Sequence, residues 1–243
     1  MPEYTYTFNC YSYCLNNPLK YTDPTGQYIV IEGEERKAYF KELRNGAKEL
    51  GFTLKMNKAG QISATYRGKN EISANGQMFL DAVNSKSIAI RINATNSNFA
   101  EGLPFFGGAF MGNKLQERTI GKDDVVGIAG ATAYQTVNPG DLKQMDNYAA
   151  KPGMTSIHEA TEPYQGALMS IRNGIASENS SSPFSVYKQA HNAATPPSIK
   201  EMDFYRFDKV GNQIPRGSSI PVYSVGWAFP NADYLIKELF LGR

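Results

Sequence analysis

Apolar residues recur along the chain with two periods, and each period predicts one kind of element. A period near 3.6 residues predicts helices at 34–50, 77–83, 184–194 and a final one capped by Asn231. Strict alternation predicts strands at 28–32, 53–56, 61–66, 87–93, 124–137, 202–207 and 221–229. A central helix is expected near residues 154–167. The elements follow no regular β-α-β rhythm, which favours an α+β fold with a mostly antiparallel sheet, a central helix and flanking helices.

Several segments between these elements carry turn or loop chemistry. Asn57-Lys-Ala-Gly60 is typical of a hairpin loop, Asn138-Pro-Gly140 of a turn, and 177–183 of a polar loop. The glycine-rich segment Gly107–Asn113 lacks the G-x-x-x-x-G-K-[ST] spacing of a phosphate-binding loop. It is better explained as a loop or a bulged edge strand that lines a cleft.

The composition is that of an ordinary globular protein, with 41% apolar and 20% charged residues among 243. Its formal charge of +2 gives no basic surface of the kind that binds phosphates, so no nucleic-acid partner is expected. No apolar run approaches the roughly 20 residues that span a bilayer. Cys10 and Cys14 are the only cysteines, which excludes a thiol nucleophile in the rest of the chain.

The first residues combine alternating aromatic residues with a distinctive turn motif. Tyr4, Tyr6 and Phe8 precede the run Asn16-Asn-Pro-Leu-Lys-Tyr-Thr-Asp-Pro-Thr-Gly26. This segment resembles the end of the core of RHS/YD-repeat proteins, where it separates a β-cage shell from a variable C-terminal domain, usually a toxin. The resemblance implies that 1–27 are a remnant of the repeat core and that 28–243 form an effector domain. The family often has leucine at the position of Gln27, a departure that bears on self-cleavage at Gly26-Gln27.

The central segment contains a motif that is typical of metal sites. Zinc peptidases use H-E-x-x-H on a helix, and this chain has H-E-x-x-E from His158 to Glu162. Residues four apart on a helix project from one face about 5–6 Å apart, so both side chains can bind one ion. His191, the only other histidine, can add a third ligand, and two histidines with one carboxylate make up many catalytic zinc sites. Glu159 then stands where a general base takes a proton from water.

The same segment also resembles the C-terminal domains of Bacteroidetes-type RHS proteins that carry H-E-x-T-E-x-Tyr-x-Gly-Ala. That pattern is matched by His158, Glu159, Thr161, Glu162, Tyr164, Gly166 and Ala167. The resemblance implies a zinc-dependent peptidase toxin that acts on a polypeptide or on peptidoglycan. It also implies a cognate immunity protein and delivery out of the producing cell. The N-terminus has no signal peptide pattern, so synthesis in the cytoplasm is expected.

Other interpretations of these residues remain open at the level of sequence. The acidic and histidine side chains can form a metal-free acid/base site or have a purely structural role. His191 can be an ordinary residue on the surface of its helix. Tyr164 and Tyr187 are expected either in the core or as donors to an oxyanion, while Asp141 and Asp146 suit turns and caps. The functional alternatives are a nuclease toxin and a non-catalytic or decayed interaction domain.

Proline within the motif limits what the spacing alone can predict. Pro163 has no N–H for the carbonyl of Glu159 and clashes with the preceding turn. The helix is therefore expected to kink at Pro163 or to begin near Thr161. In the second case His158 would precede the helix, and its pairing with Glu162 would no longer follow from the spacing.

Overall fold

The architecture is given by a computed structural model, which describes residues 28–119, 125–199 and 202–241. The predicted repeat-core remnant, 1–27, and its boundary at Gly26-Gln27 lie outside these residues. Within them the helices are α1 (Arg36–Glu49), α2 (Ala74–Asn84), α3 (Pro139–Ala149), α4 (Met154–Asn173) and α5 (Tyr187–Ala193). The strands are β1 (Ile29–Glu32), β2 (Phe52–Met56), β3 (Ile62–Tyr66), β4 (Ile88–Ala94), β5 (Phe99–Ala100), β6 (Leu103–Pro104), β7 (Gly108–Thr119), β8 (Val125–Val137), β9 (Asp203–Phe207), β10 (Ser224–Ala228) and β11 (Lys237–Phe240).

A four-stranded sheet in the order β1-β4-β8-β7 forms the base of the fold. Strands β1, β4 and β8 run parallel, and β7 pairs with β8 in the antiparallel direction. Alternate residues of β1 and β4 are fully buried, because they face the helices across the core. The core is formed chiefly by Ile29, Ile31, Ile88, Ile90, Ile92, Ala131 and Ala133, packed with residues of α1, α2 and α4.

The remaining strands form smaller antiparallel sheets. Strands β2 and β3 make the predicted hairpin, β5 pairs with β6, and β9, β10 and β11 form a three-stranded sheet. Most strand pairs are thus antiparallel, although the first three strands of the main sheet are parallel. The α+β class predicted from the sequence is confirmed, as is the central helix with helices around it.

Helix α4 occupies the centre of the molecule. It contacts the other four described helices and strands β4, β7 and β8 of the main sheet, and most of its residues from Thr155 to Ala167 are buried. The helix begins at Met154 and continues through Pro163 without a break. The alternative in which it begins near Thr161 is therefore wrong. Packing on several sides holds the helix together where proline removes one hydrogen bond.

Two local predictions near other elements are also wrong. The expected final helix after Asn231 is the edge strand β11, in which Leu239 pairs with Val225 of β10. Asn231 has a φ of 63°, whereas an N-cap has extended backbone. The expected turn at 138–140 is instead the start of α3, whose first N–H groups donate to the Asn138 side chain.

The glycine-rich segment becomes the first half of β7, the last strand of the main sheet, where the loop after α4 donates and accepts backbone hydrogen bonds at Phe110 and Asn113. Pairing with β8 shifts between Phe110 and Asn113, so of the two predicted alternatives, a loop or a bulged edge strand, the segment is the bulged edge strand. Gly112 takes a φ of 81° in the bulge. No helix in the described part of the chain is both long and apolar enough to pass through a bilayer.

Candidate metal centre

The start of α4 is held firmly against its neighbours, and this fixes the position of the motif. Asp146, in the last turn of α3, accepts hydrogen bonds from the N–H and the hydroxyl of Thr155, at 2.9 and 2.7 Å. Gly153 and Gly46 of α1 touch backbone to backbone, since a Cβ on Gly153 would lie 2.1 Å from the Gly46 nitrogen. These contacts fix the orientation of the first turn of α4, and His158 follows one turn later.

Three side chains from two helices converge on one point. His158 and Glu162 lie on one face of α4, with 3.3 Å between Nε2 of His158 and Oε2 of Glu162. His191 projects from α5 and places its Nδ1 2.7 Å from the same Oε2 and 2.9 Å from Nε2 of His158. Among the described residues, this is the group of His, Cys, Asp and Glu that can hold a metal ion.

The size of this triangle matches a small coordination shell. In a tetrahedral zinc site with bonds of about 2.0–2.1 Å, neighbouring ligand atoms lie roughly 3.3 Å apart. The three separations of 2.7, 2.9 and 3.3 Å are equal to that value or shorter than it by up to about 0.6 Å. Small outward shifts of the side chains would accommodate an ion.

The orientation of His158 is fixed by a partner outside the cluster. Its Nδ1 lies 2.7 Å from the backbone carbonyl of Thr195, and since a carbonyl only accepts, Nδ1 must carry the hydrogen. Nε2 is thereby directed at Glu162 and His191. Histidine ligands in metal sites commonly have such a carbonyl or carboxylate partner for the second ring nitrogen.

Glu159 lies beside the cluster on a neighbouring face of α4. Its Oε2 accepts a hydrogen bond from Nε2 of Gln135, and the same nitrogen lies 3.2 Å from Oε1 of Glu162. The carboxylate also rests against the backbone of Gly108 at the start of β7. A Cβ on Gly108 would come within 1.8 Å of Oε2, so only glycine leaves room for Glu159 there.

Burial and mutual contact shift the pKa values of all three groups on α4. Burial, followed by the charge of Glu162, raises the pKa of Glu159 to about 7. Burial lowers the pKa of His158, but the hydrogen bond to Glu162 and both carboxylate charges outweigh it and raise the pKa to about 9. Burial also acts to raise the pKa of Glu162, yet hydrogen bonds with both histidines hold it below its usual value.

Of the predicted tyrosines, one lies at the cluster and the other does not. The ring of Tyr187 is centred 5.5 Å from that of His191, and burial with the charges of Glu162 and Glu159 raises the pKa of its hydroxyl. Tyr164 instead packs against the main core, where burial and the charge of Asp81 raise its pKa. His191 remains about one-third exposed, so the cluster has an opening to solvent on this side.

Two residues at the site escaped the sequence-based prediction. Gln135 stands at a core-facing position of β8, between buried Ala133 and Val137. A polar residue at such a position in an alternating strand is the signal that could have identified it. The role of Gly108 had no signal, because it depends on how β7 lies across α4.

None of the protein-family models, curated proteins or solved structures compared with this chain matches it. The relationship to RHS proteins therefore stays a prediction. The geometry of the His158, Glu162 and His191 cluster is the main structural indication of function.

Proposed function

We propose that residues 28–243 form a zinc-dependent peptidase, the effector domain of an RHS-type polymorphic toxin. The observation that carries the proposal is the meeting of His158, Glu162 and His191, with ligand atoms 2.7 to 3.3 Å apart. Two imidazoles and one carboxylate are a common ligand set of catalytic zinc, with the fourth position left for water.

The charge balance of the site favours a cation at this point. Glu159 and Glu162 are two carboxylates buried within one helical turn of each other. Buried charges are costly unless they are paired, and two adjacent carboxylates repel; without an ion, Glu162 is offset only by the two histidines, at least one of which must then be protonated. A divalent ion held by His158, Glu162 and His191 would offset the charges of both carboxylates while leaving the histidines neutral, which is the form in which they act as ligands.

The remaining groups suit the hydrolysis of an amide. A bound zinc ion supplies Lewis acidity, which polarises a carbonyl and lowers the pKa of water to about 7. Glu159, which lies beside the ligands and is hydrogen-bonded to Gln135, is placed to accept a proton and pass it to the leaving amine. Tyr187, which keeps its proton because its pKa is raised, can donate a hydrogen bond to a developing oxyanion.

The wider biological role is supported by the two sequence resemblances. The Asn16–Gly26 run resembles the end of an RHS core, and the H-E-x-T-E-x-Tyr-x-Gly-Ala pattern resembles toxin domains that follow it. On this basis the substrate is a polypeptide or peptidoglycan, and an immunity protein protects the producing cell.

Metal content and hydrolysis together test the proposal. Protein purified without chelator is expected to hold about one zinc ion per chain, and His158→Ala to hold none. Glu159→Gln should retain zinc but lose about 100- to 10,000-fold in the rate of peptide hydrolysis, the usual contribution of a general base. Glu49→Gln, at an exposed glutamate of α1, is the matched control and should change neither. Zinc-free wild-type protein, or full activity in Glu159→Gln, would refute the proposal.

A further inference from the structure

One amide side chain contacts both glutamates of the metal centre. Nε2 of Gln135 donates a hydrogen bond to Oε2 of Glu159, and it lies 3.2 Å from Oε1 of Glu162. An amide nitrogen carries two hydrogens and an ionised carboxylate only accepts, so both donors of Gln135 are used on these two groups. The side chain thus connects a proposed metal ligand to the proposed general base.

The two oxygens of Glu162 have different partners. Oε2 belongs to the ligand triangle, at 2.7 Å from Nδ1 of His191 and 3.3 Å from Nε2 of His158. Oε1 is directed instead at Gln135. A hydrogen bond to the second oxygen favours binding of an ion through the first oxygen alone. Three protein atoms would then hold the ion, and the fourth position of a tetrahedral site would remain for water.

The backbone at Gln135 is held by strands on both sides. In β8 it pairs with Ile92 of β4 and with Phe110 of β7. Its side chain leaves the sheet on the face that meets α4, between the buried residues Ala133 and Val137, and is only 1% exposed. A group on a central strand keeps a fixed position relative to the helix that packs on the sheet. Gln135 can therefore fix the positions of other side chains.

Packing alone does not explain a glutamine at this position. Oε1 of Gln135 is buried and has no hydrogen-bond partner among the described residues. A buried acceptor without a partner is unfavourable, and an apolar side chain of similar length, such as methionine, would avoid that cost. The hydrogen bonds made by Nε2 are therefore the feature that only glutamine supplies here.

We propose that Gln135 is a positioning residue, whose amide nitrogen restricts Glu162 to binding the ion through one oxygen and holds Glu159 beside the ligands. The inference rests on the proposed peptidase function and adds a residue from outside the H-E-x-x-E motif. It gives the two glutamates separate tasks, because a single nitrogen keeps one oxygen of each away from the other.

The visible spectrum of bound Co²⁺ tests the hold on Glu162 without any measurement of activity. In Gln135→Met the side chain keeps its length but cannot donate, so Oε1 of Glu162 is free to bind the ion as well. The absorption of Co²⁺ should then weaken by about twofold or more, because Co²⁺ absorbs less with five ligand atoms than with four. Gln135→Asn, which is too short to reach both carboxylates, should change the spectrum in the same direction and replaces Gln135→Met if that variant does not fold. Gln144→Met, at an exposed site on α3, is the control and should leave the spectrum unchanged.

Peptide hydrolysis tests the hold on Glu159. With zinc bound, Gln135→Met should lower kcat by about 100-fold and leave KM within about threefold of the wild type, because a misplaced base affects the chemical step and not substrate binding. Urea unfolding in chelator is the comparison that a purely structural role would move. Lower stability of Gln135→Met with an unchanged Co²⁺ spectrum and unchanged kcat would refute the positioning role.

The two measurements distinguish this inference from the proposed function. A changed Co²⁺ spectrum in Gln135→Met, with no peptide hydrolysis even by the wild type, would support the hold on Glu162 and refute the peptidase. Hydrolysis by the wild type, with the same spectrum and the same kcat in Gln135→Met, would refute the role of Gln135 and leave the peptidase standing. Failure of the wild type to bind either Co²⁺ or zinc would refute both.

Discussion

His158 depends on a backbone carbonyl for its role. The carbonyl of Thr195 fixes which ring nitrogen carries hydrogen, so the other nitrogen faces Glu162 and His191. Because the acceptor belongs to the main chain, no substitution at Thr195 removes it directly. The position of His158 is therefore set by the path of the chain after α5, and not by another side chain.

The shifted pKa values predict how stability depends on pH in chelator. The contribution of Glu159 is complete below its unperturbed pKa of 4.5 and is lost as pH rises through about 7. That of His158 is complete below pH 6.5 and is lost as pH rises through about 9. The lowered pKa of Glu162 acts only in acid, where its contribution is lost as pH falls. The free energy of unfolding, measured with urea, should thus decrease from about pH 5 to about pH 9.

The variant Glu159→Gln tests how much of this decrease in unfolding free energy is due to Glu159. Glu159→Gln removes one titrating carboxyl, so the decrease between about pH 5 and pH 7 should become shallower. The part due to His158 should also become smaller, because the charge of Glu159 helps to raise the pKa of His158. Unfolding free energies that increase over this range in chelator would contradict the assignment. With zinc present the trend should reverse, because protons compete with the ion for its ligands.

Substitution of Gly108 by alanine should reduce activity without reducing the metal content. In Gly108→Ala the new Cβ would lie 1.8 Å from Oε2 of Glu159, so the carboxylate must turn away from Gln135. Hydrolysis should decrease about 100-fold, as expected for a misplaced general base, while zinc content stays near one per chain. Gly140→Ala is the control, since its nearest atom is a side-chain oxygen at 3.2 Å. Equal activity in both variants would show that Glu159 has room to move.

The sequence was enough to predict which residues form the ligand group, but not which residues surround that group. His158 and Glu162 are four residues apart, and a helix brings such residues together without help from the rest of the fold. Gln135 and Gly108 lie on strands that cross beneath α4, and their contacts with Glu159 depend on the register of β7 and β8. Local periodicity contains no information about that register.

At the scale of elements, α4 is a buried helix that tolerates an internal proline. Proline in a helix interior costs about 3 kcal/mol relative to alanine, whereas the buried ring carbons lost in Pro163→Ala are worth roughly 1.6 kcal/mol. Because the cost of proline exceeds the loss of packing, Pro163→Ala should stabilise the protein by about 1 kcal/mol in urea unfolding. Pro139→Ala, at the first turn of α3 where proline is favourable, should instead be neutral or destabilising. A loss of stability in Pro163→Ala would mean that ring packing outweighs the missing hydrogen bond.

The three-stranded sheet is joined to the rest of the molecule by an ion pair. Nζ of Lys237 in β11 lies 3.1 Å from Oδ1 of the buried Asp141 in α3. Lys237→Met should cost about 2 kcal/mol of unfolding free energy, less than a fully buried pair, because the lysine is 31% exposed. Lys209→Met, in an exposed turn, should cost nothing measurable. The double variant Lys237→Met/Asp141→Asn should lose less unfolding free energy than the two single variants lose together. If the two losses are strictly additive, the ion pair contributes nothing to stability.

The two wrong predictions at this scale have different physical causes. Leu235, Ile236, Leu239 and Phe240 have helical spacing, yet the segment that contains Leu239 pairs with β10, and a partner strand outweighs local preference. In contrast, Asn138-Pro139 does carry a helix signal, an N-cap followed by proline at the first position. The same two residues also suit a turn, and only the helix that follows decides between the two interpretations.

At the scale of the whole molecule, metal binding should be part of stability. An ion that binds only the folded chain stabilises it by about 2.7 kcal/mol at a free concentration 100 times its dissociation constant. Zinc should therefore raise the melting temperature relative to chelator, and His158→Ala or His191→Ala should abolish the difference. Glu49→Gln should retain it in full. A zinc-dependent shift that persists in both histidine variants would place the ion elsewhere.

Because the ligands lie on two different helices, a bound ion would affect how well the protein resists proteolysis. Glu162 and His191 are 29 positions apart, and the segment between them includes the polar loop at 177–183. A shared ion would act as a reversible crosslink that closes this segment at both ends, and loops that cannot open resist proteases. Where zinc is scarce, the crosslink would be lost and the same segment would become open to cleavage. The lifetime of the folded protein in the presence of proteases would then depend on the concentration of free zinc.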